Sequence, residues 1–526
     1  MPVDTSKDRD YEPLKPQRAP VRLEPGRDTP SLIPSSHINT PQATAAAAEV
    51  NNLHRRDANP RSVEEISVVL PTSGGQASDV PTAQPSGRKE KRVEKDKKLL
   101  LADRWLVRNG HFVTFIGIYL FSVLVLFRPY ELVGALSFLS ATAFYFAIAT
   151  LLIFLPSQFA TEGNLTVLST EVKAILALTV IAIITMPIAK DPAMAWAKFN
   201  DTFIKAVIVF VVLVNVVRTR ARLMSLMWLS MGIAAYLSVV SIDMYLKGEF
   251  TVESYRVGVD IGGLFGNPNE MAMHFVMMTP LAIVLGIASR RLYMKAIFFT
   301  MTALFIGANM VTFSRGGFLG LMATGGMLAW KIGRKHRVNV SIASVVIGAV
   351  IMVAAPGKYG LRMLSIFIPA LDPVGSSDQR SELLKRSLLV TARNPWGIGI
   401  GNFPIVGIHN LQSHNAFTQV SSELGILGLV AYLIFMISPY RKLAAIERRQ
   451  FDKDETDWFY YVAIGLQTSI LGYMVSSFFA SVAYNWFIYY LIAYAVAFRR
   501  IYSLEKGIDQ EIEARPLWEW RPAEAK

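Results

Sequence analysis

Three short clusters in this 526-residue chain set arginine, asparagine or histidine beside glycine, proline or serine. The first is Gly262-Gly263-Leu264-Phe265-Gly266-Asn267-Pro268-Asn269-Glu270, with Arg256 just upstream. The second is Thr312-Phe313-Ser314-Arg315-Gly316-Gly317, and the third is His409-Asn410-Leu411-Gln412-Ser413-His414-Asn415. Arginine carries a permanent charge on a planar fork that matches phosphate oxygens. Each cluster runs into an apolar stretch, so its last residues open a helix, with Asn267 or Asn269, and Asn415, suited to capping. A helix N-terminus offers unpaired N–H groups and the positive end of the helix dipole, which attract anions. Singly, each cluster has a plainer account as an interfacial arginine, a capping pair or a surface loop. Jointly, at one face, they point to an anionic ligand.

The stretch between the second and third clusters adds a candidate. Ser377 or Asp378 can cap a helix whose apolar positions Leu383, Leu384, Leu388 and Val390 make it amphipathic. Arg380 would sit in its first turn, where a cation opposes the dipole by about 0.3 to 1 kcal/mol, so pairing with Asp378 or Glu382, or function, must account for it. The glycine-rich run Asn394 to Phe403 lacks the preceding strand and following helix of a nucleotide-binding loop. Asn415, Gln419 and Glu423 then recur every four residues on one helical face. Glu423 would lie about two turns into a membrane and needs a partner or a water-filled cavity; His274 is a candidate neighbour.

The elements that must position these residues follow from composition. The chain is 52% apolar and only 18% charged, and holds no cysteine, which excludes disulfides, thiolate nucleophiles and Cys-ligated metals. Twelve apolar runs are of membrane-crossing length or near it. They span His111 to Phe127, Val133 to Leu155, Ile175 to Ala189, Phe203 to Val217, Leu223 to Tyr245 and Met271 to Ala288. The other six span Tyr293 to Val311, Gly316 to Lys331, Val338 to Ala355, Ala416 to Ile437, Phe459 to Phe479 and Tyr484 to Phe498. Basic residues fall in alternate breaks, which puts both termini on the cytoplasmic side and the long loop from about Pro356 to Asn415 on the outer side. The net charge of +13 is thereby largely explained without nucleic acid. Residues 1–100 read as a disordered tail with a basic end, because only one aromatic residue lies in the first 87 positions. Residues 101–505 form the membrane domain and 506–526 a short tail whose Trp518 and Trp520 suit an interfacial anchor. The expected fold is an all-α polytopic bundle of about twelve transmembrane helices with an amphipathic helix in its outer loop.

Residues Arg380 to Gly428 resemble the O-antigen ligase and polymerase family. Its members carry an arginine opening a helix, a Gly-x-Gly-Asn-Phe turn, His-Asn before a helix, and Glu-x-Gly-Ile-x-Gly-Leu. Here these are Arg380, Gly399 to Phe403, His414-Asn415 and Glu423 to Leu429, while Asn267-Pro268-Asn269 and Ser314-Arg315-Gly316 match earlier family segments. The chain departs from the family in having Leu384 where members often carry tryptophan. The resemblance implies a bacterial inner-membrane glycosyltransferase of cell-envelope polysaccharide biosynthesis. Such an enzyme passes a glycan from a polyprenyl diphosphate to a lipid or protein acceptor at the periplasmic face. By that carry-over Arg315 and Arg380 bind the diphosphate and His414 is the general base or orients the acceptor. Arg256, Asn267, Asn269, Asn415 and Glu423 are the further candidates for substrate binding. No Asp-x-Asp metal site occurs in the outward segments, so neither metal nor cofactor is expected. A polymerase of polyprenyl-linked repeat units is the alternative within the family. A twelve-helix secondary transporter is the alternative outside it, although no internal repeat supports it.

Overall fold

The computed structural model describes residues 109–506 apart from 133, 140–141, 262–264, 367, 369–375, 452–457 and most of 336–358. The two tails, the glycines opening the first cluster and the interfacial tryptophans lie outside the described residues. Among the described residues the architecture is helical, and Val252 and Arg256 form an isolated β-bridge.

In chain order the main helices are α1 (Asn109–Phe127), α2 (Thr142–Glu162), α3 (Thr170–Thr185), α4 (Pro192–Val216) and α5 (Arg220–Lys247). They continue with α6 (Pro268–Ala288), α7 (Leu292–Val311), α8 (Arg315–Ile332), the short α9 (Tyr359–Leu364) and α10 (Ser376–Arg393). The last three are α11 (Ala416–Gln450), α12 (Trp458–Ser477) and α13 (Trp486–Lys506). Seven segments are long and apolar enough to cross a membrane: α1, the stretch Gly134–Glu162 that contains α2, α4, α5, α6, α7 and α11. Helices α3, α8, α12 and α13 stand at the third, eighth, eleventh and twelfth expected spans. The ninth, Val338 to Ala355, lies largely outside the described residues.

Several boundaries differ from expectation for local reasons. Helix α4 starts eleven residues before Phe203, because Asp191 caps it by accepting from Ala193 N (2.9 Å) and Met194 N (3.1 Å) with Pro192 behind it. Helix α10 begins at Ser376, so neither Ser377 nor Asp378 is its cap, and Arg380 lies beyond the first turn, where the dipole penalty has faded. Its inward face is Leu383, Ser387 and Val390, and Leu388 is exposed, since it falls off the i, i+4, i+7 stripe.

The centre of the bundle is α6, packed against α8 and α12 through small residues. A Cβ at Gly317 would stand 2.7 Å from that of Ala272, and one at Gly472 would stand 2.7 Å from Val276 Cγ1. Ser469 donates to Met277 O (2.6 Å), Ser476 to Gly316 O (3.2 Å) and Asn309 to Ala272 O (3.1 Å), the close-approach chemistry used inside membranes.

The two ends of this bundle pair their charged groups differently. At the end carrying the C-terminus of α13, three carboxylates each engage two cations. Glu171 meets Arg499 (2.6 Å) and Lys442 (3.4 Å), Glu447 meets Lys331 and Arg334 (2.7 Å), and Glu162 meets Arg500 and Arg218 (2.9 Å). At the opposite end, where α6, α8 and α11 begin, Arg256 and Arg362 share the carboxylate of Glu253, and Arg315 and Arg380 line one cavity. That end holds the three clusters.

Candidate functional site

The turn between α7 and α8 is the scaffold of this end. Phe313 adopts φ 50°, a left-handed conformation that is costly for an aromatic residue. Its ring is held edge-on by Tyr255 (5.3 Å) and Tyr359 (5.7 Å). Two arginines clamp the backbone on either side of the kink. Arg256 Nε donates to Thr312 O (2.9 Å) and Arg362 Nε to Phe313 O (3.1 Å). The chain then enters α8 with Ser314 as cap, its Oγ accepting from Gly317 N (3.2 Å).

Asn267 caps α6 by accepting from Asn269 N (3.0 Å), which decides between the two expected caps. Asn269 Oδ1 receives Arg256 Nη2 (2.8 Å) and Ser314 Oγ (2.9 Å), tying the first turns of α6 and α8 together. Arg256 is 4% exposed and has all three guanidinium nitrogens engaged, the third within 3.5 Å of Glu253. These three candidates thus organise the two helix starts.

Arg315, Arg380 and Asn415 come together on a cavity of about 270 Å³. Ser381 and Ser413 complete its polar lining, and Leu319, Ile366, Leu384, Phe478 and Phe479 its apolar one. Arg315, 7% exposed, donates to Ser365 Oγ (3.3 Å). Half-buried Arg380 makes no hydrogen bond or ion pair among the described residues. Its pKa is pushed down to about 10, by desolvation first and then by Arg315, Arg256 and Arg362, so it stays charged at neutral pH while strongly favouring an anion beside it. Asn415 caps α11 through Oδ1 to Phe417 N (2.9 Å) and Thr418 N (3.1 Å), and its buried Nδ2 has no partner among the described residues. Asn415 is thus a residue of the cavity wall that carries an unsatisfied buried donor.

His414, half-buried in a left-handed conformation with φ 50°, is anchored by its N–H to Ser481 Oγ (2.8 Å). Its pKa lies below the ordinary histidine value, chiefly through desolvation and then through the field of Arg380. Near neutral pH the ring is therefore uncharged and able to accept a proton.

Glu423 stands elsewhere. It accepts Gly401 N (2.8 Å) and Phe403 N (3.4 Å) and thereby pins the glycine-rich turn, while its backbone O accepts Gly399 N (2.9 Å). The helix breaks two residues on at Gly425, with φ 74° and ψ −173°, to admit that turn, and Ile426 N donates to Pro395 O (2.9 Å). Asn402 Oδ1 extends the staple by accepting Asp191 N (2.6 Å) at the start of α4. His274 does not meet Glu423; it packs between Phe265 (5.2 Å) and Phe487 (4.9 Å). A Cβ at Gly425 would run into Pro395 O and would sit at a φ that L-residues avoid. Gly425→Ala is accordingly expected to cost about 1–3 kcal/mol of stability, read as a lower midpoint of thermal unfolding in detergent.

Arg362 and Glu253 escaped the sequence reading. Arg362 lies in a six-residue helix with no motif around it, and Glu253 in a hairpin whose polar residues look like ordinary surface. Only the number of arginines in the outer loops hinted that more than two would gather.

Residues 300–433 match the O-antigen ligase family. The matched stretch runs from within α7 into α11 and includes Arg315, Arg362, Arg380, His414, Asn415 and Glu423. Arg256, Asn267 and Asn269 lie before it. No curated protein matches the chain.

Proposed function

We propose, from the O-antigen ligase match at residues 300–433, that this protein is a multi-pass membrane glycosyltransferase. It would take a glycan from a polyprenyl diphosphate at the periplasmic face and pass it to a lipid or protein acceptor. The observation that carries the reading is the meeting of Arg315, Arg380 and Asn415 on one cavity with an apolar wall.

Diphosphate leaves readily once its developing charge is neutralised. Arg315 and Arg380 face that charge as forks, and the N-terminus of α8 adds its dipole. The buried Asn415 Nδ2 donates to a phosphate or sugar oxygen. His414 removes the proton of the acceptor hydroxyl, whose oxygen attacks the anomeric carbon as the bond to diphosphate breaks. One displacement inverts that carbon. The apolar wall from Leu319 to Phe479 suits the first isoprene units of the carrier.

The test is transfer by the purified full-length protein in liposomes, from a polyprenyl-diphosphate glycan to candidate acceptors, with and without EDTA. We expect EDTA-resistant transfer with inversion at the anomeric carbon. A single-step product identifies a ligase and a ladder of repeat units identifies a polymerase. No consumption of donor with any acceptor, together with gradient-driven uptake of a solute, would overturn the reading in favour of transport.

A further inference from the structure

Glu253 has no role in the transfer described above, yet it pairs with two buried arginines, Arg256 and Arg362. It sits in a tight hairpin in which Arg256 N donates to Val252 O (3.0 Å) and Thr251 N to Arg256 O (3.0 Å). Two successive non-glycine residues, Glu253 (φ 52°) and Ser254 (φ 56°), hold left-handed conformations there, where asparagine and glycine are the favoured occupants. Such a costly turn persists only when its surroundings over-determine it.

What holds it is charge. The Glu253 carboxylate reaches Arg362 Nη2 (3.2 Å) and Arg256 Nη1 (3.5 Å) from its two oxygens, and the Tyr255 hydroxyl donates to it. The same arginines clamp Thr312 O and Phe313 O, immediately before Arg315. Glu253 is also the carboxylate whose charge opposes the three arginines acting on Arg380. Its side chain keeps 25% of its surface exposed, whereas Arg256 and Arg362 keep 5% and 10%. A partly accessible anion thus rests on two buried cations beside the cavity.

We propose that Glu253 is a positioning residue and built-in counter-ion that partly neutralises Arg256 and Arg362, so that the diphosphate product is held weakly enough to leave. This rests on the glycosyltransferase reading. Four arginines without a resident carboxylate would bind the diphosphate leaving group more tightly than the donor's sugar-bearing form, because the free diphosphate carries the greater charge. Glu253 removes part of that attraction after each turnover and keeps Arg256 and Arg362 aimed at the backbone that carries Arg315.

The experiment compares the full-length wild type with Glu253→Gln and Glu253→Asp, using inorganic diphosphate as the probe in binding and as an inhibitor of transfer. Glu253→Gln keeps the shape and the bond from Tyr255 but loses the charge. It is expected to bind diphosphate about three- to tenfold more tightly, with an effect that shrinks as salt is added, and to lower kcat with little change in donor KM. Glu253→Asp is expected to restore wild-type inhibition. If Glu253 merely held the hairpin, Glu253→Gln would weaken diphosphate binding or leave it unchanged, and either result overturns the proposal while wild-type transfer still stands. A wild type that neither binds diphosphate nor consumes donor overturns the glycosyltransferase reading itself.

Discussion

Arg315→Ala is expected to reduce transfer by about 10²- to 10³-fold in kcat/KM, the scale on which a preorganised donor to a developing charge acts in a dry site. Arg315 is 7% exposed, stands at the first residue of α8, and is aimed by a turn that two other arginines clamp. Water cannot substitute for it with the same geometry. Arg315→Lys keeps the charge and loses the fork, so an intermediate rate is expected. The measurement is initial rate against donor concentration at fixed acceptor, with thermal unfolding run beside it. Arg256→Ala provides the contrast. Its guanidinium is committed to Thr312 O, Asn269 and Glu253, so its removal is expected to lower the unfolding midpoint along with activity, whereas Arg315→Ala lowers activity far more than stability.

His414→Ala is expected to cost about 10²- to 10⁴-fold in rate while leaving donor binding close to wild type, as befits a group that acts on the acceptor proton. The pH profile sharpens this. Desolvation and then Arg380 hold the His414 pKa below the ordinary value of 6.5, so the neutral, proton-accepting ring prevails at pH 7. The wild-type rate is expected to be level through neutrality and to fall only as pH drops below the usual histidine range. Arg380→Gln removes one of the two causes, so its acid limb is expected to move to higher pH. His414→Ala is expected to have no such limb. Full transfer by His414→Ala, or an acid limb that persists in it, would remove the residue from the proton step.

The two effects differ in kind because the residues meet different parts of the reaction. On the proposed mechanism Arg315 and Arg380 would act on the leaving diphosphate, and His414 on the incoming hydroxyl. The cavity brings Arg315, Arg380 and Asn415 to one place, and Asn415 is the chain neighbour of His414. Convergence of helix N-termini would favour an anion at this end, whereas at the opposite end Glu171, Glu447 and Glu162 each engage two cations.

The features legible in the residues alone are those that depend on neighbours along the chain. Hydropathy located the seven segments long and apolar enough to cross a membrane, because an apolar run of that length has few other stable states. Cap chemistry placed Asn415, and one of Asn267 and Asn269, at helix starts, since a cap bonds to N–H groups two or three residues away. Motif spacing singled out Arg315, Arg380 and His414, and the O-antigen ligase match at 300–433 covers the same three. The tertiary structure decided which polar groups spend their bonding on the scaffold. Arg256 and Arg315 look alike in the sequence, yet one grips Thr312 and Asn269 and the other lines the cavity. Glu423 reads as an intramembrane carboxylate in search of a ligand, and it is satisfied by Gly401 and Phe403. Arg362 and Glu253 acquire a role only when α9 and the hairpin fold onto Thr312 and Phe313. A buried hydrogen bond or ion pair is fixed by groups far apart in the chain, and no local pattern records which partner wins.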